Sequence, residues 1–162
     1  MAGILVAYHS RTGHTRRAAE RFAALVGADL TEIRPRAPER YRGAIGLVRA
    51  AWGARRARPC AIEPMEAPIE RYELVVVATP IWAGHVTPPV RAFLKANRDR
   101  LADYATLYTH GGGQSEAGED MARLCDRSPR AVVDLRNREE GTPAYDDKLA
   151  AFVRELAVAP PG

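Results

Sequence analysis

Lysine and cysteine are almost missing from this chain. Of 24 basic side chains in 162 residues, only Lys95 and Lys148 are lysines; the rest are arginines. Alongside abundant alanine, that skew reads as the mark of a GC-rich genome and carries little functional weight. The net charge of +4 still favours anionic partners. No nucleic-acid motif accompanies it, so nucleic acid is not expected. Cys60 and Cys125 stand far apart, and a disulfide framework would need more cysteines, so two reduced thiols are expected. No Cys/His cluster has ligand spacing, so no metal is expected. No apolar run approaches the roughly 18–20 residues of a membrane span, and the start lacks a basic-then-apolar leader. A soluble cytoplasmic protein is the expectation, with monomer or homodimer left open. The composition that remains, 46% hydrophobic and 27% charged, suffices for one globular domain over residues 1–162.

The most informative stretch is 4–15. Apolar residues give way abruptly to hydroxyls and one glycine, and an amphipathic pattern starts at Thr15. The order predicts a buried strand over 4–9, a tight turn and a helix. Ser10, Thr12 and Thr15 offer hydroxyls there, and a helix start offers N–H groups that no helical bond uses. Such an end carries partial positive charge and suits an anion, most naturally a phosphate.

Beyond it, Ala18, Ala19, Phe22, Leu25 and Val26 share one helix face until Gly27. An alternating edge strand is predicted over 30–33. Residues 36–58 then hold seven arginines and one acid, Glu39. Ile45, Val48 and Trp52 recur there at helical spacing, although Gly43, Gly46 and Gly53 weaken the helix. The expectation is a solvated crossover helix that packs Trp52 on the sheet. The alternative is a basic flap that attracts a nucleotide phosphate or an acidic protein. Residues 59–71 read as a loop. An unbroken apolar strand over 74–79 has the pattern of one covered on both faces. A turn over 80–84, a helix beginning near Pro88 and Pro89, a strand over 105–109, a glycine run, a helix over about 115–125 with Ser115 as N-cap, a strand over 131–135 and a final helix after Pro143 complete the chain.

Five strands alternating with helices predict an α/β, three-layer, doubly wound parallel sheet. Ligands of such sheets sit at the strands' carboxyl ends, near a topological switch point. The order 2-1-3-4-5 would bring three unusual strand ends together: 10–15, 80–84 and 109–113.

With those loops in view, the sequence resembles the flavodoxin-like family over essentially its whole length. Ser10, Arg11, Thr12, Gly13, His14 and Thr15 match that family's [ST]-x-T-G-x-T phosphate loop. Pro80, Ile81, Trp82, Ala83 and Gly84 match its P-[IV]-[WY]-x-G loop. Thr109, His110, Gly111, Gly112 and Gly113 correspond to its third, glycine-rich loop. The resemblance implies a non-covalently bound flavin mononucleotide (FMN) and no catalytic side chain, because the flavin carries the chemistry. Gly13 would let the backbone approach the phosphate. Trp82 would wall the flat ring, and Gly84 and Gly111–Gly113 would give donors to its polar edge. His14, His85 and His110 lie in or beside the loops. His110 is the preferred ring-edge candidate, and His9 reads as structural.

Other assignments fail on particular residues. Gly113-Gln114-Ser115-Glu116-Ala117 superficially resembles a hydrolase nucleophile elbow, but no histidine follows Ser115. Thr79-Pro80 stands where a receiver domain needs Asp. No C-x5-R phosphatase motif and no nucleotide P-loop is present. The function expected is electron transfer through FMN, between redox partner proteins. The alternative is an NAD(P)H-dependent FMN-containing quinone reductase, and a third reading is a flavin-free scaffold on the same fold. Flavodoxin-like electron carriers tend to be acidic, so the basic charge here departs from that pattern and leans towards anionic ligands.

Overall fold

The computed structural model describes residues 3–38, 42–56, 60–113 and 115–157. Its centre is a parallel sheet made of β1 (Gly3–Tyr8), β2 (Asp29–Glu32), β3 (Tyr72–Trp82), β5 (Tyr104–His110) and β6 (Val132–Arg136). The order is β2-β1-β3-β5-β6, with the short β4 (His85–Val86) folded antiparallel onto the end of β3. Apart from that added hairpin strand, this is the order and layering expected from the sequence. The helices are α1 (His14–Val26), α2 (Gly43–Arg55), α3 (Pro88–Asn97), α4 (Ala117–Cys125) and α5 (Pro143–Glu155).

Period-2 alternation along the buried, mostly apolar strands builds two cores. Val6, Tyr8, Val76, Ala78 and Leu107 face α1 and α5, where Phe22 and Phe152 pack at 5.3 Å between ring centroids. Leu5, Ala7, Val75, Val77 and Tyr104 face α3 and α4, against Phe93, Leu94 and Met121. β1 and β3 lie between the two cores, so their carboxyl ends leave the interior at a rigid point. Neither cysteine forms a disulfide, and burial pushes the Cys125 thiol's pKa up. No helix among the described residues is long and apolar enough to cross a membrane. No cluster of His, Cys, Asp or Glu among them could hold a metal.

Four local expectations are corrected. β3 does not stop at Thr79; it runs through Pro80 and Ile81 to Trp82, and the turn is only Ala83–Gly84. Both turn residues have positive φ, 50° and 84°, which suits the right-handed twist of a two-residue hairpin. The 59–71 stretch is not wholly loop, because Ile62 bridges Pro35 and Ile69–Arg71 forms a 3₁₀ turn. Ser115 is not the N-cap. α4 begins at Ala117, whose N–H donates to the Ser115 hydroxyl at 3.1 Å.

The fourth correction is the largest. Trp52 does not pack on the sheet; it is 50% exposed. α2 turns Gly46, Ala50 and Ala54 inward instead, against β3, β4 and α3. Small residues spaced four apart make a flat face that approaches closely. A Cβ on the neighbouring Gly53 would already stand 3.3 Å from Pro88.

Candidate functional site

The first loop begins where β1 leaves the core. The His9 N–H extends the ladder to Ala78 O at 3.0 Å. The His9 ring is buried, and its Nδ1 lies 3.1 Å from the Ile33 carbonyl. A carbonyl can only accept, so Nδ1 holds the proton and Nε2 presents a lone pair. Burial pushes the His9 pKa down, so the ring stays neutral. Nε2 has no hydrogen-bond partner among the described residues. The same ring meets Trp82 edge-on, at 5.7 Å between centroids and 78° between planes. The first and second loops are therefore in contact.

Ser10 Oγ accepts the Gly13 N–H at 3.1 Å and tightens the turn. Gly13 has φ 95°, a left-handed conformation that a side chain disfavours. Its carbonyl takes the first helical bond, from Arg17 N at 3.0 Å. α1 starts with no side-chain cap and no acidic residue in its first turn. The N–H groups of that turn thus keep their positive potential for an incoming anion. Thr12 is exposed at this mouth and Arg11 flanks it.

Two members of the loop point elsewhere. Thr15 is buried, and its hydroxyl meets that of Thr109 at 2.7 Å, joining α1 to the end of β5. His14 Nδ1 lies 2.6 Å from Glu140, which also takes Arg17. The Arg17 guanidinium, with His14 beside it, holds the Glu140 carboxyl down to a pKa of about 2. From these two residues, backbone N–H groups remain for a ligand while the side chains anchor the loop.

The second loop is the hairpin that carries Trp82, half-buried at the strand end. One buried carboxylate holds it. Asp120 on α4 accepts from Val86 N at 3.2 Å and His85 Nδ1 at 3.1 Å, and pairs with buried Arg91 on α3. Arg91 donates from Nε to Val86 O at 3.0 Å. A buried ion pair needs such added hydrogen bonds to offset its desolvation. The third loop closes onto the second, with Glu116 N donating to Gly84 O at 2.8 Å. His110 is turned to β6, where Nε2 meets the Asp134 carboxylate. The exposed backbone of Gly111–Gly113, rather than the imidazole, opens upward, and no atom stands near where a Cβ would lie.

The three loops thus meet at the ends of β1, β3 and β5. A cavity of about 460 Å³ adjoins the first loop on the β2 side, with Ser10, Arg11, Thr12, Arg34 and Arg42 in its wall. Glu32 and Glu63 also line it, and Glu32 is bound by Arg16 at 2.9 Å and Arg34 at 3.0 Å.

The family model described as Flavodoxin matches residues 3–135. The chain belongs to the flavodoxin family. Solved members of this fold agree. A flavoprotein of Lactobacillus acidophilus, crystallised in complex with FMN, has a TM-score of 0.71 at 17% identity, covering 90% of this chain and 99% of that one. A candidate flavoprotein of Bacteroides eggerthii reaches 0.73 at 24% identity, over 98% and 100%. The flavodoxin of Streptococcus pneumoniae TIGR4 gives 0.59 at 18%, over 96% and 98%. No curated protein matches the sequence significantly.

Sequence reasoning missed Asp120, Arg91 and Glu140 as organisers of this flavodoxin site. Asp120 and Glu140 act on loops distant in the chain, and no local pattern marks Arg91, five residues beyond Val86. His9 had a signal, a histidine directly before the phosphate loop, but not its unpartnered nitrogen.

Proposed function

We propose that this flavodoxin-family protein holds FMN on the three loops and transfers electrons through it between protein partners. The uncapped start of α1 at Gly13 carries the reading. A phosphate dianion needs converging donors, and a helix end without cap or acid supplies them. Thr12 adds a hydroxyl at the mouth. Trp82 and the open Gly111–Gly113 backbone suit a broad flat ring, one as an aromatic wall and the other as close main-chain donors. The unpartnered His9 Nε2, buried beneath Trp82, adds an acceptor at the junction of the first two loops. When bound, the flavin supplies reversible uptake and release of electrons. The chain's own residues do the rest. The first turn of α1 orients the phosphate, the Asp120-anchored hairpin fixes Trp82, and the Thr15–Thr109 contact keeps the first and third loops in register.

The visible spectrum of protein purified from riboflavin-fed cells tests the cofactor. A yellow holoprotein is expected; a colourless one that FMN does not titrate would sink the reading. Thr12→Val is expected to weaken FMN binding about tenfold, the scale of one hydrogen bond to a charged group, and to leave riboflavin binding nearly unchanged. Equal losses would mean that the loop does not grip the phosphate.

A second reading, an NAD(P)H-dependent reductase, is favoured by one observation, the cavity with Arg11, Arg34 and Arg42 in its wall beside the phosphate loop. Anaerobic bleaching of the flavin by NADPH or NADH would support it, and no bleaching would leave the carrier reading alone.

A further inference from the structure

α2 is built inside out. Its buried residues are Gly46, Ala50 and Ala54, while Ile45, Val48, Trp52 and Leu47 are 76%, 70%, 50% and 49% exposed. Arg42, Ile45, Arg49, Trp52 and Arg56 follow one another at alternating spacings of three and four, so they form a single ridge. Val48 and Arg55 lie along its flank. Basic and apolar side chains therefore alternate along one exposed stripe, and Arg56 lies over the Trp52 ring at 4.0 Å. The helix contains no acid, and among the described residues no carboxylate pairs with Arg42, Arg49, Arg55 or Arg56. Core packing explains none of these outward residues.

We propose that this ridge is the docking surface for a protein partner whose contact face is acidic around an apolar centre. Three observations select that occupant. The charge is of one sign, so a face of complementary sign is steered to it and held in register. A second copy of this chain would bring the same arginines against each other. The ridge also adjoins the phosphate loop, for Arg42 and Gly43 line the same cavity as Ser10 and Thr12, and Arg11 Nη2 reaches Gly43 O at 3.5 Å. A partner seated on α2 would lie beside the cofactor, where electrons are exchanged. The choice of a protein over a membrane rests on the flavin reading of that site.

The test uses the full-length holoprotein and a fluorescein-labelled amphipathic peptide of glutamate and leucine, read by anisotropy. A lysine–leucine peptide of the same length is the control. The acidic peptide is expected to bind and the basic one not. Raising the salt should weaken binding, because rim charges are screened. The double reversal Arg49→Glu with Arg56→Glu should lower affinity about tenfold or more, and Trp52→Ser about three- to tenfold. The flavin spectrum and far-ultraviolet dichroism of both variants should match the parent, which separates lost docking from lost folding. Unchanged affinity in the charge-reversed protein would overturn the proposal. Binding to phosphatidylserine vesicles without peptide binding would overturn it in favour of a lipid surface. A dimer in sedimentation that Trp52→Ser dissociates would overturn it in favour of a second copy. Absence of peptide binding by the unsubstituted, flavin-loaded protein defeats the docking surface alone; a protein that binds peptide but no flavin defeats only the cofactor reading.

Discussion

α1 and α2 are both thirteen-residue helices beside the same loop, and both are rich in arginine. They solve the problem of packing on the sheet in opposite ways. α1 sends Phe22 and Val26 inward and leaves its arginines outside, where Arg16, Arg17 and Arg21 each meet a carboxylate. α2 sends glycine and alanine inward and leaves both its large apolar and its basic residues outside. A helix can thus be seated by its smallest residues while its largest ones stay at the surface. Three glycines and no acid set α2 apart from α1 in composition, and the face that touches the sheet sets them apart in packing.

The contrast can be broken most directly by truncation. Phe22→Ala is expected to cost about 3–5 kcal/mol, the range for a buried aromatic, in chemical denaturation. Trp52→Ala should stay within about 1 kcal/mol, as half-exposed side chains do. Comparable losses would show that α2 is packed like α1. Next in size is Ala50→Leu. Ala50 is wholly buried, so a larger side chain there should cost about 1–3 kcal/mol through overpacking. A neutral result would mean that α2 stands off the sheet.

Gly13→Ala probes the entry to α1. At φ 95° the added Cβ is expected to cost about 1–2 kcal/mol and to weaken FMN binding, as read by melting with and without FMN. No such conformational demand applies to Arg42, the N-cap of α2, which is extended.

The smallest effect concerns Glu140, the carboxylate on which α1 leans. Bound by Arg17, its carboxyl has a folded pKa of about 2, below the ordinary carboxylate value of about 4.5. Its contribution is therefore fully present above about pH 4.5 and is lost as pH falls towards about 2. Glu140→Gln should flatten the stability profile over that window and change stability at neutral pH by less than about 1 kcal/mol, because the pair faces solvent. An unchanged acid limb would mean that Glu140 is not bound to α1 in solution.

The parallel strands and α1 were legible because buried strands leave apolar runs and a half-buried helix leaves a 3.6-residue stripe, while the strand order came with the family resemblance. The same rule misled at α2. Ile45, Val48 and Trp52 form the more conspicuous stripe, but Gly46, Ala50 and Ala54 make the contact. Hydrophobic periodicity weights size, and a seat of glycine and alanine is silent to it. The turn after β1 was legible as a turn, since hydroxyls and a glycine follow an apolar strand. Where its side chains go was not. His14 meets Glu140 across 126 positions and Thr15 meets Thr109 across 94. Such partners are set by topology and leave no local trace. The hairpin after β3 escaped notice because its returning strand is two residues long and Ala83, not glycine, takes the first left-handed position.

The anchoring of the hairpin also sets it apart from the first loop. The backbone bonds of the turn after β1 lie between Ser10 and Arg17, although Thr109 and Glu140 anchor it from a distance. The hairpin is held by Asp120, 35 positions after His85. The turn after β1 is thus a local feature of the chain, whereas the hairpin that carries Trp82 depends on a contact between distant segments.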